Sequence, residues 1–204
     1  MNRLTLGTAL ALLVLVATLS SRGAIAGPAP SDAAAPAALD PAKVERGRYL
    51  VTFGGCNDCH TPWKMGENGP EPDMTRMLSG HPQDLVMPPL PVLTPGAWES
   101  ASSASITAWA GPWGISYTRN LTPDKETGLG NWTEQEFIQT LRTGRERGIG
   151  REILPPMPWP GYGKATDEDL AAIFAYLRSI PAVSNRVPDN VPPAAPPGAP
   201  AAKP

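Results

Sequence analysis

"GGCNDCHTPW", residues Gly54–Trp63, holds both cysteines of the chain and one of its two histidines. Three chemistries place two thiols three positions apart with a histidine beside the second. A redox disulfide of the thioredoxin kind needs C-x-x-C at the start of a helix that follows a strand. Here the motif follows a helical pattern and two glycines, and no convincing parallel strands accompany it. A structural zinc ion needs four ligands. Cys56, Cys59, His60 and His81 make up that number, but neighbouring Cys59 and His60 do not easily bind one tetrahedral ion. C-x-x-C-H is also the attachment signature of a c-type haem. Two thioethers then tether the porphyrin, and the adjacent histidine reaches the iron from the proximal face. In a cysteine-rich chain such a motif arises by chance; made from a chain's only two cysteines, it is far more specific. The stretch points to one haem c, held at Cys56 and Cys59, with His60 on the iron.

Such attachment takes place outside the cytoplasm, and the N-terminus has the matching form. Arg3 is followed by the apolar run Leu4–Leu19 and by small residues at Ala24 and Ala26. This is the three-part pattern of a secretory signal cleaved near Ala26. The run is short for a membrane span of about 20 residues. Contact with a membrane is therefore expected only through a partner or an uncleaved signal, and the expected location is the periplasm. Without residues 1–26 the chain carries 15 basic and 19 acidic side chains, net −4. That balance argues against a nucleic-acid partner.

Residues 27–39 are Ala/Pro-rich and read as a flexible linker, and residues 188–204 as a Pro/Ala-rich disordered tail. The domain is expected over 40–187. It contains three predicted helices. The first begins at Asp40 with Pro41 at its first position, shares Val44, Gly47, Leu50 and Val51 on one face, and ends at Gly54 and Gly55. The second runs from Thr133, which forms a capping box with Glu136, to Gly144. The third starts at Thr166 and stops before Pro181, with Leu170, Ile173, Phe174 and Leu177 on its buried face. Between the first two lie about seventy residues rich in proline and poor in periodicity. A structureless connection of that length needs something to organise it, and a haem plate supplies a core. Gly47 would let the last helix cross the first closely.

A second axial ligand has several candidates. Met157 sits in "ILPPMPWPGYG", Ile153–Gly163, flanked by Pro155, Pro156, Pro158 and Pro160. Proline stiffens a loop by limiting its unfolded freedom, which suits a weak thioether ligand; the plainer reading is a methionine filling a proline-rich turn. Trp159 and Tyr162 are placed to cover a haem edge. His81, in "SGHPQD", is the rival ligand, although its setting is that of a loop histidine bonding locally. "NLTPDKETGLGNW", Asn120–Trp132, reads as a sharp loop that could bring Asn120 to a haem carboxylate. Arg142 reads as a helix-end residue first and a carboxylate partner second.

Three stretches, "VERGRYLVTFGGCNDCHTP", "NLTPDKETGLGNWTEQEFIQTLRTG" and "ILPPMPWPGYGKATDEDLAAIFAYLRSIP", resemble class I cytochromes c. The likeness is to the periplasmic kind often associated with bacterial dehydrogenases. The resemblance implies an all-α cytochrome c fold of about three main helices around one covalently bound haem. It implies thioether links at Cys56 and Cys59 and axial ligands His60 and Met157. Residues 64–113 fall outside the matching stretches and read as a long irregular insertion. The expected function is electron transfer, the iron cycling between ferric and ferrous states, without catalysis. The expected partners are a dehydrogenase, a respiratory oxidase or another cytochrome. The competing class is a haem enzyme or a gas or redox sensor with an open distal position.

Overall fold

Helix α1, Pro41–Phe53, starts where the Asp40 carboxylate accepts the Ala42 amide at 2.9 Å and Pro41 fills the first helical position. Helix α5, Asp167–Ser179, starts where the Thr166 hydroxyl accepts the Asp169 amide at 3.1 Å. The two pack together through small residues. Gly47 and Val51 are buried on α1; Ala171, Ala172 and Ala175 are buried on α5 beside Leu170, Phe174 and Leu177. A Cβ at Gly47 would stand 1.9 Å from the Ala172 carbonyl oxygen, so the crossing tolerates no side chain there.

Helix α3, Glu134–Thr143, carries the expected capping box between Thr133 and Glu136 and ends at Gly144 in the left-handed region (φ 68°). Its Phe137 ring meets Phe174 at 5.3 Å between centroids. Val51, Phe137, Ile138, Leu141, Leu170, Phe174 and Leu177 are all buried in one core. Burying a side chain of this size contributes about 1.5–3 kcal/mol.

The computed structural model describes residues 39–89 and 96–193. The signal-like segment 1–26, the linker up to residue 38 and the tail from residue 194 lie outside them. No helix among the described residues is long and apolar enough to cross a membrane.

The all-α expectation is corrected. Two further short helices are present, α2 (Cys56–His60) and α4 (Trp159–Tyr162), so the helices number five among the described residues. Two antiparallel sheets form in the insertion and at its margins, over residues 63–117. One is a hairpin of β1 (Trp63–Gly66) and β2 (Gly69–Pro72). The other orders β3 (Ala101–Ser102), β4 (Ala108–Gly111) and β5 (Gly114–Tyr117) side by side. These strands are two to four residues long and rich in Gly, Ala and Pro, so they show none of the apolar alternation that marks a strand in sequence. Each hairpin turns through two residues with a glycine immediately after: Gly69 at φ 120° and Gly114 at φ 96°.

The insertion is tied to the haem-type motif by backbone bonds. Gly80 donates to His60 O at 2.8 Å, and Trp63 to Ser105 O at 3.0 Å. Beyond α5 the chain runs back along the insertion. Asn185, 1% exposed, donates to the carbonyls of Ser79 and His81 at 2.7 and 2.8 Å and accepts from Gln83 N at 2.9 Å. The extended run continues past residue 187. Val191 exchanges both backbone hydrogen bonds with Ile115, at 2.8 and 2.9 Å, and Asn190 accepts from Tyr117 N at 3.2 Å. Residues 188–193 are thus part of the fold rather than of a free tail.

Candidate haem-binding cavity

Gly55 opens α2 in the left-handed region (φ 67°), turning the chain directly from α1 into the motif. Cys56 and Cys59 stand one turn apart on α2, and residues at that spacing share a helix face. Both are free thiols. Burial pushes the Cys56 thiol up to about 11 and raises Cys59 as well. Reactive redox cysteines show the opposite, a depressed pKa in an electropositive setting.

His60 follows Cys59 and lies in the same cavity wall. Its Nδ1 is 2.7 Å from the Arg119 carbonyl oxygen. A carbonyl only accepts, so Nδ1 carries the proton and Nε2 keeps its lone pair. Burial lowers the ring's pKa, with the carbonyl bond acting in the opposite sense. The result is a neutral imidazole of fixed tautomer and orientation, which is the form a metal ligand takes.

These three side chains share with Met157 a single cavity of about 710 Å³. Met157 reaches it from the proline loop, which is fastened to β5 where Ser116 Oγ donates to Pro155 O at 2.6 Å. Tyr162 lines the cavity and donates its hydroxyl to Gly54 O, closing the loop against the start of α2. Trp159 instead packs over Gly144. No other methionine among the described residues lines the cavity: Met65 and Met74 are 77% and 59% exposed, Met77 packs against the helical core and Met87 against the β4–β5 sheet.

His81 is not among the cavity residues. It is fully buried, with Nδ1 2.9 Å from Thr107 Oγ1 and Nε2 2.9 Å from Leu85 O. Both ring nitrogens are committed to the insertion. Among the described residues no three His, Cys, Asp or Glu side chains converge as a metal site would require.

Asn120 lines the cavity, but its amide serves the fold. Nδ2 donates to Thr127 Oγ1 and Val183 O at 3.1 and 2.8 Å, and Oδ1 accepts from the Thr122 amide and hydroxyl at 3.0 and 2.7 Å. Arg142 binds Gly163 O and the Asp167 carboxylate, joining α3 to α5 as a helix-end residue. Reasoning from sequence missed Trp109, Ser116 and Tyr117 of the β4–β5 sheet and Arg119 just after it, all of which line the cavity. Only a hairpin reading of "AWAGPWGISY" would have placed them there.

The residues fit a covalently held haem. The volume lies within the roughly 300–1,000 Å³ of cofactor cavities. Two neutral thiols sit on one face, a neutral imidazole and a thioether share the cavity, and its walls are largely apolar. Two N–H groups on lining residues, Trp109 Nε1 and Arg119 Nε, are buried without a protein partner.

No family model matches the chain. It is 30% identical over 149 residues to a nicotinate dehydrogenase subunit of Pseudomonas putida, covering 73% of this chain and 10% of that protein. It is 28% identical over 170 residues to the fructose dehydrogenase cytochrome subunit of Gluconobacter japonicus, covering 83% and 26%. It is 30% identical over 153 residues to the cytochrome c subunit of the quinone alcohol dehydrogenase of Gluconobacter oxydans, covering 74% and 24%. The chain thus spans between a tenth and about a quarter of the length of these relatives. Over most of its own length it is similar to cytochrome subunits of dehydrogenases, which supports a place among the cytochromes c.

Proposed function

We propose that the chain is an exported one-haem electron carrier that passes electrons between a dehydrogenase and an acceptor, and that it makes or breaks no bond in a substrate. The observation that carries this reading is the convergence of Cys56, Cys59, His60 and Met157 on one cavity. When bound, haem c supplies a one-electron ferric–ferrous couple. Cys56 and Cys59 would hold it through two thioether links. His60 is held by the Arg119 carbonyl with Nε2 free for the iron. Met157 offers a neutral thioether, a ligand that favours ferrous iron and raises the potential. The apolar walls, including Leu129, Phe137, Ile173 and Leu177, keep water from the site. The N-terminal signal pattern supports a periplasmic location, and the named relatives support a dehydrogenase as partner. Docking is expected to be transient, through a small interface.

The test is made on protein produced in an exporting host that attaches haem. After acid–acetone extraction under denaturing conditions, the chain should keep the mass of one haem and show a reversible one-electron couple. Haem that extracts freely rules the reading out. Rapid carbon monoxide binding by the reduced wild type would move the protein to the open-site class.

A further inference from the structure

Four polar side chains of the insertion form a hydrogen-bonded row that the haem site does not use. Ser103 Oγ lies 2.9 Å from Ser105 Oγ, Ser105 Oγ 2.8 Å from Thr107 Oγ1, and Thr107 Oγ1 2.9 Å from His81 Nδ1. The other ring nitrogen, Nε2, is 2.9 Å from Leu85 O. A carbonyl only accepts, so Nε2 carries the proton and Nδ1 is the acceptor of a neutral ring. The direction of every other bond follows: Thr107 donates to Nδ1, Ser105 to Thr107, and Ser103 to Ser105. Ser103 Oγ itself accepts the amides of Thr107 and Ala108, at 3.3 and 3.0 Å, which leaves its proton for Ser105.

The row runs from the surface inward. Ser103 is half-buried, Ser105 is buried, and Thr107 and His81 are fully buried. A proton arriving at Ser103 Oγ can move each hydroxyl proton on to the next oxygen and the last one to Nδ1. Each O–H bond that breaks is replaced by a new one, the hydroxyls end reversed, and the ring becomes a cation. At its inner end the row stands beside the cavity. Tyr117 touches both: its ring centroid is 4.7 Å from that of His81, and the residue lines the cavity.

We propose that His81 takes up a proton when the haem iron is reduced, and that the proton travels through Ser103, Ser105 and Thr107. This rests on the haem reading above. The electron comes from the redox donor and the proton from water; ferric iron becomes ferrous and an N–H bond forms at Nδ1. One added electron lowers the charge in the cavity by one, which favours a cation behind Tyr117, and the buried setting weakens screening between them. Burial opposes the cation and lowers the pKa of His81 from its ordinary 6.5, while the bond to Leu85 O acts in the opposite sense. The charged groups near the ring are Arg76, which disfavours the added proton, and Asp84, which favours it; the two pair with each other at 3.9 Å.

The experiment is a redox titration of the full-length holoprotein from about pH 5 to about pH 8, on wild type and His81→Gln. The ferrous protein should hold the His81 proton at least about threefold more tightly than the ferric protein. The wild-type potential should therefore fall as pH rises through a window below the ordinary 6.5 and stay flat above it. His81→Gln should be flat through that window. Glu126, Glu146, Glu152 and Asp189 also line the cavity, and a slope that belonged to them would survive the substitution. A second measurement does not need His81→Gln to fold: an indicator dye in weak buffer reads proton uptake as the protein is rapidly reduced. Wild type should take up protons in a fast phase. Thr107→Val, which keeps the shape of the side chain and removes its hydroxyl, should lose that phase. A wild-type potential that is flat below pH 6.5, a slope that His81→Gln keeps, or uptake of undiminished speed in Thr107→Val overturns the proposal. A chain without covalent haem overturns the underlying reading instead, and intact mass shows that before any titration.

Discussion

Single side chains divide the site into parts that sequence exposes and parts it hides. The C-x-x-C-H motif is legible because its chemistry is local: two thiols and an imidazole within five residues. Cys56→Ala or Cys59→Ala should leave at most one thioether and the double change none, read by intact mass after denaturing extraction. Met157→Ala should lower the reduction potential, since water favours ferric iron more than a thioether does, and open the iron to carbon monoxide. An unchanged potential and no carbon monoxide binding would remove Met157 as the ligand. Asn120, Asn185 and Arg119 were not legible in those roles, because their partners lie tens of positions away and no short pattern encodes them. His81 is the instructive case. Its setting in sequence suggested a loop histidine, and its hydrogen bonds are indeed to the nearby loop and to Thr107, yet it is fully buried. Burial lowers its pKa below the ordinary 6.5. The unfolded chain then binds the proton more tightly than the folded one, so His81 disfavours folding as pH falls below about 6.5 and is neutral to stability above it. Replacing it as His81→Gln should cost stability at pH 7.5, about 1–3 kcal/mol for the disturbed hydrogen bonds. That deficit should shrink toward pH 5, measured by thermal melts of both holoproteins. A deficit independent of pH would show that His81 does not titrate in this range.

Elements with strong local signals were readable to within a residue or two. Asp40, Thr133 and Thr166 each cap the helix that follows, because a capping oxygen needs only the amides two or three residues on. The strands were not readable. Gly-Pro-Glu-Pro and Ala-Trp-Ala-Gly pair as strands because the insertion folds back on itself and on the 183–193 run, a tertiary cause that overrides their poor intrinsic preference. The α1–α5 crossing shows the reverse, a contact anticipated from one glycine. Alanine at an exposed helix position would gain up to about 1 kcal/mol over glycine. At Gly47 the added methyl group would meet the Ala172 carbonyl oxygen at 1.9 Å. Forced separation of two packed helices outweighs the propensity gain, and Gly47→Ala should lose about 2 kcal/mol, a fall in Tm of roughly 4–8 °C. A variant that melts at or above the wild-type temperature would mean that α1 and α5 do not meet here.

For the molecule as a whole, the cavity decides what can fold. Its walls are largely apolar and leave about 710 Å³ that no side chain fills. Without haem, those walls face water or close on one another, and either outcome weakens the packing there. The helices need not vanish with it: α1 and α5 bury Gly47, Val51, Leu170 and Ala172 against each other and carry their own caps. The parts that depend on the cavity are the β4–β5 sheet, the Met157 loop and the 186–190 run, which form its walls. Chain made in the cytoplasm, without the attachment machinery, should keep part of its helical far-ultraviolet signal. It should lose the near-ultraviolet signal of its cavity-wall tryptophans, Trp109 and Trp132, and melt over a broad range. The holoprotein should melt cooperatively and well above it. Hydrogen exchange separates the regions: amides of α1 and α5 should stay the most protected in the haem-free chain, while those of Ile115 and Val191, paired to each other across the wall, should exchange freely. A sharp apo melt at the holo temperature, with Ile115 and Val191 still protected, would mean that the protein closes its cavity without haem and that the cofactor is not part of its core.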